Sequence, residues 1–305
     1  TYAKLKSGVQ SSTVMQEDFS AQRISQPLVF QYWVLLHRFL LTYVRDIKAF
    51  WITLVQQLCL GVLIGGIFFQ ISDNQTGIQD RLGSMFTFLA IQAYMQMISS
   101  MVHYQSQRFV FAREKEDNIY GTLPFFLAKI SAEIIPEFLF QLIFSSIVYW
   151  MIGFQGKADK FFIFVVIIFS TSYVSGSLGL MFSAAIPAMG LAVVSANTIF
   201  SFFLLVAGYI ININDLAIYI SWFRHVSFLK YTFEALVINE FSGLTFTCGE
   251  GVPLSQCGRS TGEQVIDFVT DGGAGVGSAI GIMWAYVFAF RLITVVLMRI
   301  VKQDG

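Results

Sequence analysis

Six runs of mostly apolar residues, each about as long as a bilayer is thick, constrain this chain more than any other feature. They cover residues 47–69, 83–101, 125–152, 161–184, 191–210 and 278–297. A helix needs about 20 residues to cross about 30 Å of hydrocarbon. Lipid offers no water to a backbone N–H or C=O, so such a run must satisfy its own hydrogen bonds as a helix. The runs lack the alternation and turn punctuation of strands. The expectation is an all-α membrane protein with six transmembrane helices. Composition agrees: of 305 residues, only 12% are charged, about half the share in a soluble domain. The formal net charge is zero, which excludes the broad basic surface that nucleic acid requires.

The segment 28–44 differs. Gln31, Arg38, Thr42 and Arg45 recur at helical spacing along one stripe of an otherwise apolar stretch, the pattern of an amphipathic helix at the membrane interface. As a span it would set His37 and Arg38 in mid-bilayer, at about 2.5–3.5 kcal/mol for the arginine. Residues 1–26 are polar and show no cleavable signal peptide, and this start reads as a cut from a longer protein or as one half of it. Arg38, Arg45, Lys48, Arg108, Arg113, Lys115, Lys129, Arg299 and Lys302 fall on one side of six spans. The positive-inside rule places that side, with both termini, in the cytosol. Arg81, Lys157, Lys160, Arg224 and Lys230 fall on the other side, in loops that are longer in total.

The opposite face then holds residues 212–277. Their aromatic first part, 216–241 with Trp222 and Tyr231, is too interrupted to span and reads as re-entrant or interfacial. Residues 242–277 are polar and Gly-rich, a small extracellular cap. Cys248 and Cys257 lie in that cap and form either one disulfide-closed loop or two free thiols. Cys59, inside the first apolar run, reads as a core residue. Asn74-Gln75-Thr76 is a glycosylation sequon, and its closeness to the first span weighs against its use.

Polar residues inside the runs mark the candidate sites. Lys129, Glu133, Glu137 and Gln141 are spaced by four and share one helix face. Such a stripe belongs against other helices or water, not lipid. Pro136 precedes Glu137, where a kink is expected. Arg291 falls near the same depth in the last run, so an ion pair with Glu137 or Glu133 is expected. The plain reading is interhelical glue; the sharper one is a proton or ion path, as in an ion channel or secondary transporter. Gln92 and Gln96 in the second run, and Asn197 and Ser201 in the fifth, are flanked by Tyr94, Met95, Phe200, Phe202 and Phe203. That mix suits either a cavity for an amphipathic ligand or ordinary hydrogen bonds between helices. The stretch 108–122 carries Arg113, Glu114, Lys115, Glu116 and Asp117, either a solvated loop or a contact surface for a cytosolic partner. The sequence has no G-x-x-x-x-G-K-S/T loop and no G-x-S-x-G elbow, and its three His are isolated. It therefore shows no catalytic centre and no metal site.

Several short motifs occur in a fixed order. They are Thr76-Gly77-Ile78-Gln79-Asp80-Arg81; Val110-Phe111-Ala112-Arg113-Glu114 with Tyr120 six later; Leu127-Ala128-Lys129 with Glu133 and Pro136; Tyr149-Trp150-Met151-Ile152-Gly153 with Phe161-Phe162; and Trp222, Ser227, Tyr231, Glu234 and Asn239-Glu240-Phe241. With these, residues 27–305 resemble the transmembrane half of the G subfamily of ATP-binding cassette transporters, the White and breast-cancer-resistance type, an ABC-2 type transmembrane domain. The resemblance implies export of lipids, sterols or amphipathic compounds by alternating access. It implies a dimer of two such halves, identical or different, in the plasma membrane or an intracellular one. Each half would follow a nucleotide-binding domain that holds ATP and magnesium, with no cofactor in this chain. Residues 1–26 would be the linker from that domain, unless it is a separate chain, residues 28–44 would be the connecting helix, and Arg113, Glu114 and Tyr120 would receive ATP-driven motion. Gln92, Tyr94, Met95, Asn197, Ser201, Phe202 and Leu204 would line the substrate cavity. The family's gate, often a pair of leucines, falls on Tyr209 and Ile210 here, a departure. If Cys248 and Cys257 pair with each other, no outer thiol remains to join two subunits.

Overall fold

The computed structural model describes residues 26–117, 119–210, 225–247, 260–270 and 275–300. Among them stand nine helices: α1 (Leu28–Arg45), α2 (Ile47–Ile67), α3 (Gln75–Glu116), α4 (Thr122–Ile152), α5 (Ala158–Ala185), α6 (Met189–Leu205), α7 (Phe228–Phe241), α8 (Gly262–Thr270) and α9 (Val276–Ile300). The described residues form no strand beyond two isolated bridges, Asn74 with Thr247 and Thr245 with Thr261. Trp222, Cys248, Cys257, Lys302 and residues 1–25 lie outside the described residues.

Five helices are long and apolar enough to cross a membrane, namely α2, α3, α4, α5 and α9, and α6 is a shorter apolar helix of 17 residues. The expected fifth span, 191–210, is therefore cut short. The helix ends at Leu205, and Gly208 follows in the left-handed region at φ 98°, which glycine enters without a Cβ clash. By contrast α3 runs 42 residues, about 63 Å at 1.5 Å per residue. It carries the second expected span and the charged stretch after it as one rod. Its start is set by Asn74, whose Oδ1 accepts from Gly77 N and Thr76 Oγ1, each at 2.8 Å, a side-chain N-cap. The sequon asparagine is thus engaged in the fold by its side-chain oxygen.

The centre of the bundle is α5, packed by α3, α4, α6, α7 and α9. Every residue from Ser170 to Gly179 is buried. The cause is local: small residues on all sides let neighbouring backbones come close. A Cβ at Gly179 would collide with the Met97 carbonyl of α3. The buried hydroxyls of Thr171 and Ser177 donate to carbonyls four residues back, each at 2.7 Å. The equally apolar α9 instead turns Phe288, Leu292, Val296 and Ile300 outward.

At the opposite end from α7, α1 packs on α4 through Leu35 and Phe39, the latter edge-on to Phe125 at 5.5 Å. Asp46 then caps α2 by accepting from Ala49 N at 3.2 Å. On α2 the small residues Gly61 and Gly65 face Ile147 and Met151 of α4. This corrects the reading of Cys59. The helix turns its glycines inward to approach α4 closely, and Cys59 lies exposed on the other side. The described part of the expected re-entrant segment is α7, 14 residues long and almost wholly buried, about 21 Å and too short to cross.

Candidate functional site

Successive residues of a helix stand about 100° apart, so Gln92 and Tyr94 of α3 point to opposite sides. The structure uses both. On the side of Tyr94 and Met95, α3 meets Asn197, Phe200, Ser201 and Leu204 of α6 around an open groove of about 460 Å³. The α6 residues follow the i, i+3, i+4, i+7 stripe of one face. The rings of Tyr94 and Phe200 lie 5.8 Å apart. The Ser201 hydroxyl is spent on the Asn197 carbonyl at 2.8 Å, while the Asn197 side-chain Oδ1 has no hydrogen-bond partner. The groove is an apolar slot with one unpartnered acceptor buried in its wall.

Two residues expected there are elsewhere. Gln92 is buried, and its Nε2 donates to Gln57 Oε1 at 3.1 Å and to Gln141 Oε1 at 2.8 Å. It ties α2, α3 and α4 together, because its rotation about α3 aims it into the bundle. Phe202 stands about 100° from Ser201, off the groove stripe and half exposed. Sequence reasoning missed Gln57, which was visible as a polar residue inside an apolar run.

Beyond the groove, towards α7, Tyr209 stacks on Phe86 at 4.8 Å and stands edge-on to Phe233 at 6.0 Å. Its hydroxyl lies over Gly83, where an added Cβ would meet it at 3.0 Å. Ile210, the other expected gate residue, is half exposed beside it. Farther out, Arg81 at the start of α3 bonds Glu240 of α7 at 2.5 Å and Asp73 at 2.7 Å. Gln155 N donates to both oxygens of Glu240 at 3.2 Å, and the Gln155 amide reaches the Glu240 carbonyl. Burial pushes the Glu240 carboxyl up to about 7, against the pull of Arg81, the Gln155 backbone N–H and Lys160. This clamp joins α3, α7 and the α4–α5 turn.

At the other end, both oxygens of Glu114 accept from Arg38 of α1, at 2.8 and 3.0 Å. The Tyr120 hydroxyl donates to the same carboxylate at 2.5 Å. Burial and that carboxylate hold the Tyr120 hydroxyl above its ordinary range. The Tyr120 ring stacks on Phe125 at 5.5 Å. Of the polar stripe of α1, Arg38 thus reaches α3, and Arg113 remains exposed.

Residues 30–241 match the model of the ABC-2 type transporter family, more than half of the chain. The chain belongs to that family. ABC transporter G family member 1 of Dictyostelium discoideum is 28% identical over 294 residues, 94% of this chain and 37% of the relative. The Broad substrate specificity ATP-binding cassette transporter ABCG2 of Mus musculus is 28% identical over 200 residues, 65% of this chain and 30% of the relative. ABC transporter G family member 24 of D. discoideum is 31% identical over 216 residues, 70% and 19% of the two. The chain thus spans little more than a third of the longest-matched of these relatives.

Within this ABC-2 domain the stripe on α4 faces the bundle. Lys129 Nζ stands 2.7 Å from Glu133 and donates to Gln107 at 2.9 Å. The expected ion pair of Arg291 with Glu137 or Glu133 is not formed. Arg291 instead donates to Tyr173 Oη at 2.6 Å and Ser177 Oγ at 3.0 Å, with its guanidinium 3.8 Å from the Tyr173 ring centre. The reason is packing: α9 lies against α5 along its length, so the arginine meets α5 hydroxyls before it reaches α4, and Glu133 is taken by Lys129 on its own helix. Glu133, Glu137, Gln141 and Arg291 all line a second hollow behind α3. Among the described residues no group of His, Cys, Asp and Glu is placed to hold a metal ion.

Proposed function

We propose that this ABC-2 domain is the membrane half of an ATP-driven exporter of lipids, sterols or amphipathic organic compounds, working by alternating access as a dimer. The observation that carries the reading is the groove between α3 and α6. It is open in one chain, lined by Tyr94, Met95, Phe200 and Leu204, and has an unpartnered acceptor buried in its wall on Asn197. A flat apolar body with a single hydroxyl fits that chemistry, and a second copy facing the groove would close it. The printed name of the mouse relative, a broad-specificity ATP-binding cassette transporter, supports the same class.

In this reading both termini are cytosolic, and a nucleotide-binding domain, holding ATP and magnesium, docks at the α1–α4 end. Arg113 is free to meet it. Glu114 and Tyr120 pass its motion on, because the Arg38–Glu114–Tyr120 bonds make α1 and the end of α3 move as one piece. Closure from that end would drive ligand along the groove past Tyr209 and Ile210, two arrangements whose balance the nucleotide biases. A channel or secondary carrier running on Glu133 and Glu137 is the weaker reading, since Glu133 is engaged by Lys129.

The test is ATP hydrolysis by the full-length parent in lipid nanodiscs, with and without a sterol or an amphipathic dye. Ligand should stimulate hydrolysis. Tyr94→Ala should raise the half-maximal ligand concentration about tenfold, a loss of about 1.4 kcal/mol, with the basal rate kept. Charge reversal by Glu114→Lys should abolish the stimulation. A parent without ATPase activity or an ATPase partner, moving solute on a proton gradient alone, would transfer the function to the channel or carrier class.

A further inference from the structure

The second hollow, about 310 Å³, is walled by α1 through α5 and α9, on the far side of α3 from the groove. Its chemistry is the reverse of the groove's. From the α1–α2 junction comes Asp46, from α3 His103, from α4 Glu133 and Glu137, from α9 Arg291. From α5 come the hydroxyls of Tyr173 and Ser177. Most of these groups are already engaged. Glu133 is paired with Lys129, Asp46 caps α2, and Arg291 is held by Tyr173 and Ser177. Glu137 is not among the engaged groups: its Oε1 is shut off from solvent and has no hydrogen-bond partner. A carboxylate in such a place is costly unless a cation or a donor meets it.

The remaining walls are aromatic. Phe50 of α2 and Phe140 of α4 lie 5.3 Å apart, ring to ring, with Tyr43 and Tyr173 also on the lining. Aromatic faces and a lone carboxylate together recognise an organic ammonium. Of its lining residues Thr42, Asp46, His103 and Ser106 are exposed, so an acid and an imidazole stand where it opens. Its volume is at the small end for ligand pockets, which limits the guest to one ring and a short chain.

We propose that this inner cavity is a binding site for a small aromatic amine, its ammonium on the Glu137 carboxylate and its ring against Phe50 and Phe140. The site is separate from the groove and does not depend on the exporter reading. Equilibrium binding without ATP tests it, on the full-length protein in nanodiscs, with 2-phenylethylamine as probe and 2-phenylethanol as its neutral counterpart. The amine should bind at least tenfold tighter than the alcohol. Glu137→Gln, which keeps the shape and removes the charge, should weaken the amine at least tenfold and leave the alcohol unchanged. Ser100→Phe, which fills the cavity and keeps the carboxylate, should also lose the amine. Tyr94→Ala in the groove should not affect it. No amine binding to the unaltered protein, equal binding of amine and alcohol, or full amine binding in Ser100→Phe would overturn the proposal. Loss in Tyr94→Ala with retention in Glu137→Gln would overturn it in favour of the groove.

Discussion

The groove and the inner cavity share one wall, α3, and differ in nearly everything else. The groove is apolar, open, and has one unpartnered acceptor buried in its wall, on Asn197. The cavity is set inside the bundle and collects charged and polar side chains, carboxylates and a guanidinium among them, from six helices. Residues two apart on α3 serve opposite sides: Tyr94 the groove, Gln92 and Gln96 the bundle and its cavity. In a membrane, apolar surface is left to lipid or to an apolar ligand, whereas polar groups must find partners inside the protein. An amphipathic span therefore sorts its two faces in the opposite sense to a soluble helix, with the polar side inward.

The severest way to break this contrast is to remove the shared wall. Gly179 of α5 lies against the Met97 carbonyl, and any larger side chain must force α3 away. Gly179→Leu should abolish the folded, monodisperse protein in size-exclusion chromatography and so remove both hollows together. A normal elution profile with both ligand classes still bound would mean that α5 does not set the position of α3.

A sharper cut falls on the polar side alone. Gln92→Leu strips the donor from two buried acceptors, Gln57 Oε1 and Gln141 Oε1. A buried polar group left without its partner costs about 1–3 kcal/mol, so the melting temperature in detergent should fall by several degrees. The groove ligand's half-maximal concentration should not change. A shift in that concentration without loss of stability would return Gln92 to the groove, where the family resemblance had placed it.

The smallest effect belongs to the clamp near α7, which walls neither hollow. The Glu240 carboxyl sits up to about 7 in the folded protein, above the ordinary carboxylate value near 4.3, so the folded state binds this proton more tightly than the unfolded one. Its contribution to stability is present below the ordinary value and is lost as pH rises towards about 7. Melting temperature should therefore rise as pH is lowered from 7.5 to 5, and Glu240→Gln should flatten that slope. Identical slopes in the two proteins would assign the pH response to another group.

Much of the fold was legible because its signals are local. Run length and hydropathy located all five long apolar helices, and the stripe of α1 gave an amphipathic helix before them. The sixth, α6, was drawn too long because apolar character continues past Leu205 while the helix does not; the break at Gly208 depends on backbone conformation, which hydropathy does not register. Of the groove residues, Tyr94, Met95, Asn197, Phe200 and Ser201 stood out as polar and aromatic groups inside apolar runs, Leu204 came from the family resemblance, and the α6 members share one helical face. The same periodicity argues against Phe202 and sets Gln92 opposite Tyr94.

What the sequence by itself determined is the class of solvent and the type of element. Long apolar runs with few charges admit only membrane helices, for backbone hydrogen-bond reasons that need no tertiary information. What only the tertiary structure decided is which partner each polar group takes. Arg291 was near enough in depth for Glu137 but is held by Tyr173 and Ser177, and Gln92 closed a knot instead of lining the groove. A helix fixes which side chains share a face; its rotation and neighbours, set by where small residues such as Gly179 let backbones meet, decide what that face sees.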